Sequence, residues 1–132
     1  MTEKELWQLI KRNVPGHLIR IENLVGAGVP DLHLTHKGKA VWVELKIGKG
    51  NNVQFQSSQI AFFNESKKHG GNIKIIMRKN DLLYLIDSEI IINSVYKSIK
   101  GDRVSININE LSKAWIWGMP WNWKDIVQRI YE

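Results

Sequence analysis

Hydrophobic positions change period several times along the chain. Over residues 3–13, Leu6, Leu9 and Ile10 share one stripe at helical spacing, with Thr2 placed to cap the start and Pro15-Gly16 to stop it. The segment HLIRIENLV, residues 17–25, alternates weakly and predicts a first strand. Two alternating runs then flank Lys37-Gly38, and Gly tolerates the positive φ of a two-residue hairpin turn, so they predict strands two and three. Residues 49–52 read as a loop. Residues 54–68 read as a second helix, with Phe55, Ser58/Gln59 and Phe62/Phe63 at helical spacing and Gly70-Gly71 closing it. NIKIIMR (72–78) predicts a buried strand and LLYLID (82–87) its successor after a Lys79-Asn80-Asp81 turn. Further on, Ser88 is placed to cap a helix through about Ile99, RVSININ (103–109) to form a short strand, and Asn122 to cap a final helix over WKDIVQRIYE. The order over the first 78 residues is α-β-β-β-α-β, an α/β fold with C-terminal additions.

The hairpin carries the chemistry. With Lys37-Gly38 as its loop, His36 pairs with Lys39, Thr35 with Ala40, Leu34 with Val41, His33 with Trp42, Leu32 with Val43 and Asp31 with Glu44. Leu32, Leu34, Val41, Val43 and Leu45 then form one apolar face, while Asp31, Glu44 and Lys46 fall together on the other. A slip of one residue would scatter both sets. Opposed like charges about 5 Å apart repel by about 3 kcal/mol at an effective dielectric of about 20. A cation, a shared proton, or distance and water must offset that. Hard oxygen ligands suit Mg²⁺, which one or two carboxylates, waters and substrate phosphates commonly hold.

Pro30-Asp31 followed by Glu44-Leu45-Lys46 resembles the signature of the PD-(D/E)XK nuclease superfamily. The fuller string GAGVPDLHL…VWVELK is most similar to its VRR-NUC branch, found as stand-alone phage and bacterial nucleases and as domains of repair nucleases. Gln59, eleven residues before Gly70, is similar to that branch as well. The resemblance spans about residues 3–78 and departs in IGKGNNVQFQSS (47–58) and in everything after residue 80.

What the resemblance implies is a restriction-endonuclease-like αβββαβ core, a central mixed sheet flanked by helices, and a metal-dependent DNA endonuclease that hydrolyses phosphodiester bonds. Asp31 and Glu44 would bind one or two Mg²⁺ (or Mn²⁺) ions, with the Leu45 backbone carbonyl as a further ligand. Lys46 would orient or deprotonate the attacking water, or stabilise charge on the phosphorane. The family's helix-side acid, available to a second metal, is best matched by Glu5, which precedes LWQLI; Glu3 competes and Glu22 is the weaker third choice. A favourable charge against the helix N-terminus also suffices to explain Glu5. Gln59 would hydrogen-bond near the attacking water or a substrate phosphate, with Gln56 one turn earlier as second choice. Gln56 and Lys49, in the basic loop, are the candidate DNA contacts. Stand-alone members of the branch cut branched DNA, notably four-way junctions, as dimers. A Holliday junction is therefore the expected substrate and a homodimer the expected assembly. The alternatives are a phage or restriction-type nuclease acting on duplex or single-stranded DNA, and a catalytically silent nuclease-like DNA-binding module. The intact acid–acid–lysine set argues against the last.

Composition narrows the partners. The 132 residues suit one nuclease domain, with its core at about 3–78 and an extension at about 79–132. Nineteen Lys and Arg against thirteen Asp and Glu give +6, which favours an anionic partner, nucleic acid before membrane. No 18-residue apolar run predicts a transmembrane span, and MTEKELWQLIKRN lacks a signal-peptide apolar region. Without cysteine there is no disulfide or thiolate metal site, and the cytoplasm of a bacterial or phage-infected cell fits. His17, His36 and His69 lack zinc-ligand spacing, and His33, paired with Trp42, reads as packing. GAG at 26–28 lacks the Gly-Lys-Ser/Thr of a phosphate loop. Trp115, Trp117, Trp121 and Trp123 crowd into nine residues. A core lid, a dimer interface and a stacking surface for unpaired bases all account for them.

Overall fold

The computed structural model describes residues 1–21, 26–94, 99–111 and 113–132. Helix α1 (Glu3–Asn13) starts at Thr2, whose hydroxyl accepts from the Glu5 N–H while the Glu5 carboxylate accepts from the Thr2 N–H. This reciprocal box satisfies two otherwise orphaned donors. Strands β1 (His17–Arg20), β2 (Leu32–His36) and β3 (Lys39–Ile47) run antiparallel. The β2–β3 register places Leu32 opposite Val43 and His36 opposite Lys39, as the alternation predicts. Lys37 and Gly38 both take positive φ, 48° and 78°, which a primed two-residue turn requires.

Strand β4 (Asn52–Gln56) and helix α2 (Ser57–Lys68) follow, then β5 (Ile73–Lys79), which lies parallel to β3, and β6 (Leu82–Asp87). After α3 (Ser88–Ser94) come β7 (Ile99–Lys100), β8 (Arg103–Asn107), a 3-10 turn at Ile108–Glu110, β9 (Trp115–Trp117) and α4 (Trp123–Ile130). The mixed central sheet has the order β1-β2-β3-β5-β6-β9; a smaller sheet has the order β4-β8-β7.

The central sheet is buried on both faces. Leu32, Leu34, Val41, Val43 and Leu45 pack with Leu6 and Ile10 of α1 and Ile126 and Ile130 of α4. On the other face Ile73, Ile75 and Met77 meet Ile60 and Phe63 of α2, Ile91 of α3, and the inner side of the small sheet. The near-continuous apolar run of β5 follows from this two-sided burial.

Three expected elements differ. Residues 54–56 form a strand instead of the start of α2. Val53 and Phe55 are buried between exposed Asn52, Gln54 and Gln56, and their apolar side meets Val104 and Ile106 of β8. The helical-looking spacing of Phe55 to Phe63 is a contact between elements, with ring centroids 5.9 Å apart. The αβββαβ order therefore gains a strand before its second helix. α3 is described over Ser88–Ser94, with the Ser94 hydroxyl donating to the Ile90 carbonyl, and Ile99 pairs with Val104 instead of ending a helix. The first strand ends at Arg20; residues 22–25, where the expected strand continued, and residues 95–98 lie outside the described residues.

Three of the four C-terminal tryptophans join the core beside α1 and α4. The Trp121 indole N–H donates to the Asp81 carbonyl at 2.9 Å, and that of Trp117 to Asp125 Oδ2 at 2.9 Å. Trp123 meets Trp121 edge-on. Trp115 alone is left 47% exposed, with the Arg129 guanidinium 3.9 Å from its ring centroid.

Candidate active site

The site forms where the β2–β3 ladder gives out. The Leu45 N–H donates instead to Asp31 Oδ2 at 2.8 Å, which pins this carboxylate against β3. Glu44 points to the α2 side of the sheet, opposite Ile75 in the β3–β5 pairing, and is 3% exposed. Its Oε1 accepts from Gln59 Nε2 at 2.9 Å, and its Oε2 is buried without a partner. Burial pushes the Glu44 carboxyl up to about 9; the Asp31 and Glu3 charges add to the rise, while Lys46 opposes it.

Gln59 is the hub. Its Oε1 accepts from Lys46 Nζ at 3.1 Å and from the Gln56 N–H at 2.9 Å, so one amide holds the lysine and caps α2 while its other end holds Glu44. The Lys46 ammonium also lies 4.7 Å from the Phe55 ring centroid. Asp31, Glu44, Lys46 and Gln59 thus meet, and the buried Leu45 lies between Glu44 and Lys46 on β3. Gln56, three residues before Gln59, sits at the N-cap of α2 instead of inside the helix.

The two candidate acids of the first helix have different surroundings. Glu5 spends its carboxylate on the Thr2 N–H, at the helix N-terminus where a favourable charge already sufficed to explain it. Glu3, the competitor, is the acid that senses the site: burial and the Asp31 charge raise its pKa, against Lys46 and Arg20. Glu3, Lys46 and Lys49 line a shared groove of about 640 Å³. Glu22 lies outside the described residues. His33 packs edge-on to Trp42, ring centroids 4.6 Å apart.

Gly28 is a residue that the sequence pattern did not single out. Its φ is +84°, and a Cβ there would stand 2.2 Å from the Ser58 carbonyl oxygen and 3.0 Å from the Gln59 nitrogen. The loop that delivers Asp31 therefore rests on the backbone of the turn that delivers Gln59. A glycine three residues before the aspartate was visible; the segment it touches was not.

Among the described residues no three His, Asp or Glu side chains cluster as a complete metal centre. Two carboxylates suit Mg²⁺, which keeps waters and substrate oxygens as its other ligands. The unpartnered buried Glu44 Oε2, beside Asp31, fits such a cation.

No family model matches the chain, and no curated protein matches its sequence. Among solved structures it is similar to Hjc of Archaeoglobus fulgidus, a Holliday junction resolvase from an archaeal hyperthermophile. The TM-score is 0.61 over 98% of this chain and 95% of that one, at 9% identity. The chain has the restriction-endonuclease-like fold of that protein, and at this identity the likeness is one of fold.

The raised Glu44 pKa sets a pH dependence. In the metal-free protein the folded state binds the Glu44 proton more tightly than the unfolded chain does. That contribution is complete below about pH 4.5 and is lost as pH rises through about 9. Glu44→Gln, unfolded thermally in chelator, should match wild type at the acid end and exceed it increasingly toward pH 9. A constant difference between the two curves would place the pH dependence elsewhere. Gly28→Ala should cost about 2 kcal/mol in urea unfolding, from overpacking and the positive φ. Unchanged stability would mean that the Ser58 backbone yields freely.

Proposed function

We propose that this chain is a metal-dependent DNA endonuclease of the PD-(D/E)XK type that hydrolyses phosphodiester bonds in branched DNA, four-way junctions above all. One observation carries the reading: two carboxylates in contact inside a sheet, one with a buried unpartnered oxygen, beside a lysine fixed by the same glutamine. A structural role alone gives no reason for such an arrangement, because an unpaired buried carboxylate costs stability. The fold's likeness to a junction resolvase supports the substrate class, and the GAGVPDLHL…VWVELK string supports the VRR-NUC branch.

Asp31 and Glu44 would hold Mg²⁺ or Mn²⁺, with the Leu45 carbonyl as a further donor and Glu3 in reach of the same region. When bound, the ion lowers the pKa of a water and offsets charge building on the phosphate. A bound cation would favour the ionised form of Glu44, which burial otherwise keeps protonated. Lys46 brings an ammonium to the reacting phosphate, where it orients the attacking water and stabilises the developing oxyanion. Gln59 keeps Lys46 and Glu44 at a fixed separation.

The assembly we propose is a homodimer formed at the free edge of the central sheet. β9 is the terminal strand there, and Trp115, Ile116 and Met119 are 47%, 51% and 53% exposed beside it. An open apolar edge is a template for a second copy, and a two-fold pair supplies two sites for two nicks.

Asp31→Asn and Glu44→Gln should each lower Mg²⁺-dependent cleavage of a four-way junction by about 10³-fold. Lys46→Ala should lower turnover by about 10²-fold and keep metal and DNA binding. Full activity in either acid variant would remove the metal site. Duplex, flap and single-stranded DNA in the same assay decide the substrate. Light scattering across dilution should give a dimer, and Trp115→Glu with Ile116→Glu a monomer. A wild-type monomer at tens of micromolar that still cuts junctions rejects the dimer and spares the nuclease reading.

A further inference from the structure

The small sheet has a second face that the core does not use. Along β4 and β8 the inward residues Val53, Phe55, Val104 and Ile106 are buried. The outward residues pair across the ladder as Asn52 with Asn107, Gln54 with Ser105 and Gln56 with Arg103. That face holds carboxamides, a hydroxyl and a guanidinium, and no carboxylate. Asn is depleted in strands, so a solvent-facing row of amides is not what strand preference selects. The nearest acid in sequence, Asp102, belongs to the turn before β8.

This face is continuous with the candidate site. Gln54 and Lys46 line the 640 Å³ groove together with Lys49 and Asn52. The same two residues line a second depression, of about 290 Å³, with Gln56, Gln59 and Arg103. Both hollows therefore share Lys46, and the polar face extends from it. Alternate strand residues stand about 6.6 Å apart, comparable to successive phosphates along a nucleic-acid strand. Amides, hydroxyls and guanidinium groups are the donors that bind phosphate and sugar oxygens without reading bases.

We propose that the outward face of β4–β8 is a backbone-binding platform that seats the DNA strand entering the active site, with Gln54, Arg103 and Lys49 as its principal contacts. The inference rests on the nuclease reading and adds the path that the DNA takes. It also accounts for the inserted segment 47–58, because β4 carries one side of the platform and leads directly into the helix that bears Gln59. Charge complementarity favours a polyanion. Lys46, Lys49 and Arg103 flank the amides, and each neutralised phosphate releases counterions.

The test measures binding and turnover separately. Fluorescence anisotropy of labelled junction DNA in Ca²⁺ gives Kd at several salt concentrations, and single-turnover cleavage in Mg²⁺ gives the rate at saturation. Arg103→Glu and, separately, Gln54→Ala with Arg103→Ala should raise Kd about ten-fold or more. The saturated rate should stay within about three-fold of wild type, and the salt slope should fall by about one for the lost phosphate contact. Lys124→Glu, on an exposed position of α4, makes the same charge change as Arg103→Glu and should leave Kd nearly unchanged. Thermal unfolding confirms that each variant is folded. Equal losses for Lys124→Glu and Arg103→Glu would reduce the effect to net charge and overturn the platform. Wild-type affinity in the Gln54/Arg103 variant would overturn it and leave the nuclease reading standing. A wild-type protein that binds no DNA would overturn both.

Discussion

Glu44 places an ionisable group where a sheet would otherwise hold a hydrophobe. Its neighbours along β3 are Val43 and Leu45, and its partner on β5 is Ile75, all buried. Such a position penalises the charged form, and the Asp31 carboxylate beside it adds to the difficulty. The surrounding structure answers only part of that cost. Gln59 satisfies one oxygen and Lys46 favours the ionised form, but the second oxygen has no partner. The site is therefore held in tension that a proton relieves, and that the proposed cation would relieve as well.

That tension requires rigid support, and the support comes from three sequence-distant segments. The end of the β2–β3 hairpin brings Asp31 beside Glu44. The Leu45 N–H, freed from the ladder, holds Asp31 in place. The N-terminal turn of α2 supplies Gln59, whose carbonyl oxygen is shared between the lysine and the helix cap. Gly28 joins the first segment to the third without an intervening side chain. Moving any of these would uncouple the lysine from the carboxylate, because both are held through one amide.

The small sheet extends this logic outward. Its buried side, Val53, Phe55, Val104 and Ile106, completes the core on the α2 face, and the Phe55 ring underlies the Lys46 ammonium. Its outer side presents amides and Arg103 to solvent in line with that lysine. One pair of strands thus secures the site from beneath and lays a polar track beside it. At the opposite end of the central sheet, Trp117, Trp121 and Trp123 cover the core, while Trp115 and Ile116 leave the β9 edge apolar and open.

Much of this was legible in the chain. The hairpin register, the apolar face of β2 and β3 and the grouping of Asp31, Glu44 and Lys46 follow from period-two alternation about a Lys-Gly turn. That alternation is local and leaves no second register that buries the same residues. The caps at Thr2 and Asn122 are local for the same reason. What sequence could not decide was every choice made by a distant partner. Phe55 sits as well on a helix as on a strand until β8 arrives to pair with it. Glu5 is the better match on paper, yet in the fold the Thr2 amide takes its carboxylate and the Asp31 charge acts on Glu3. Gly28 is an ordinary turn residue until Ser58 is laid against it. Local periodicity sets which face a side chain takes; only the folded arrangement sets what that face meets, because those contacts join residues tens of positions apart.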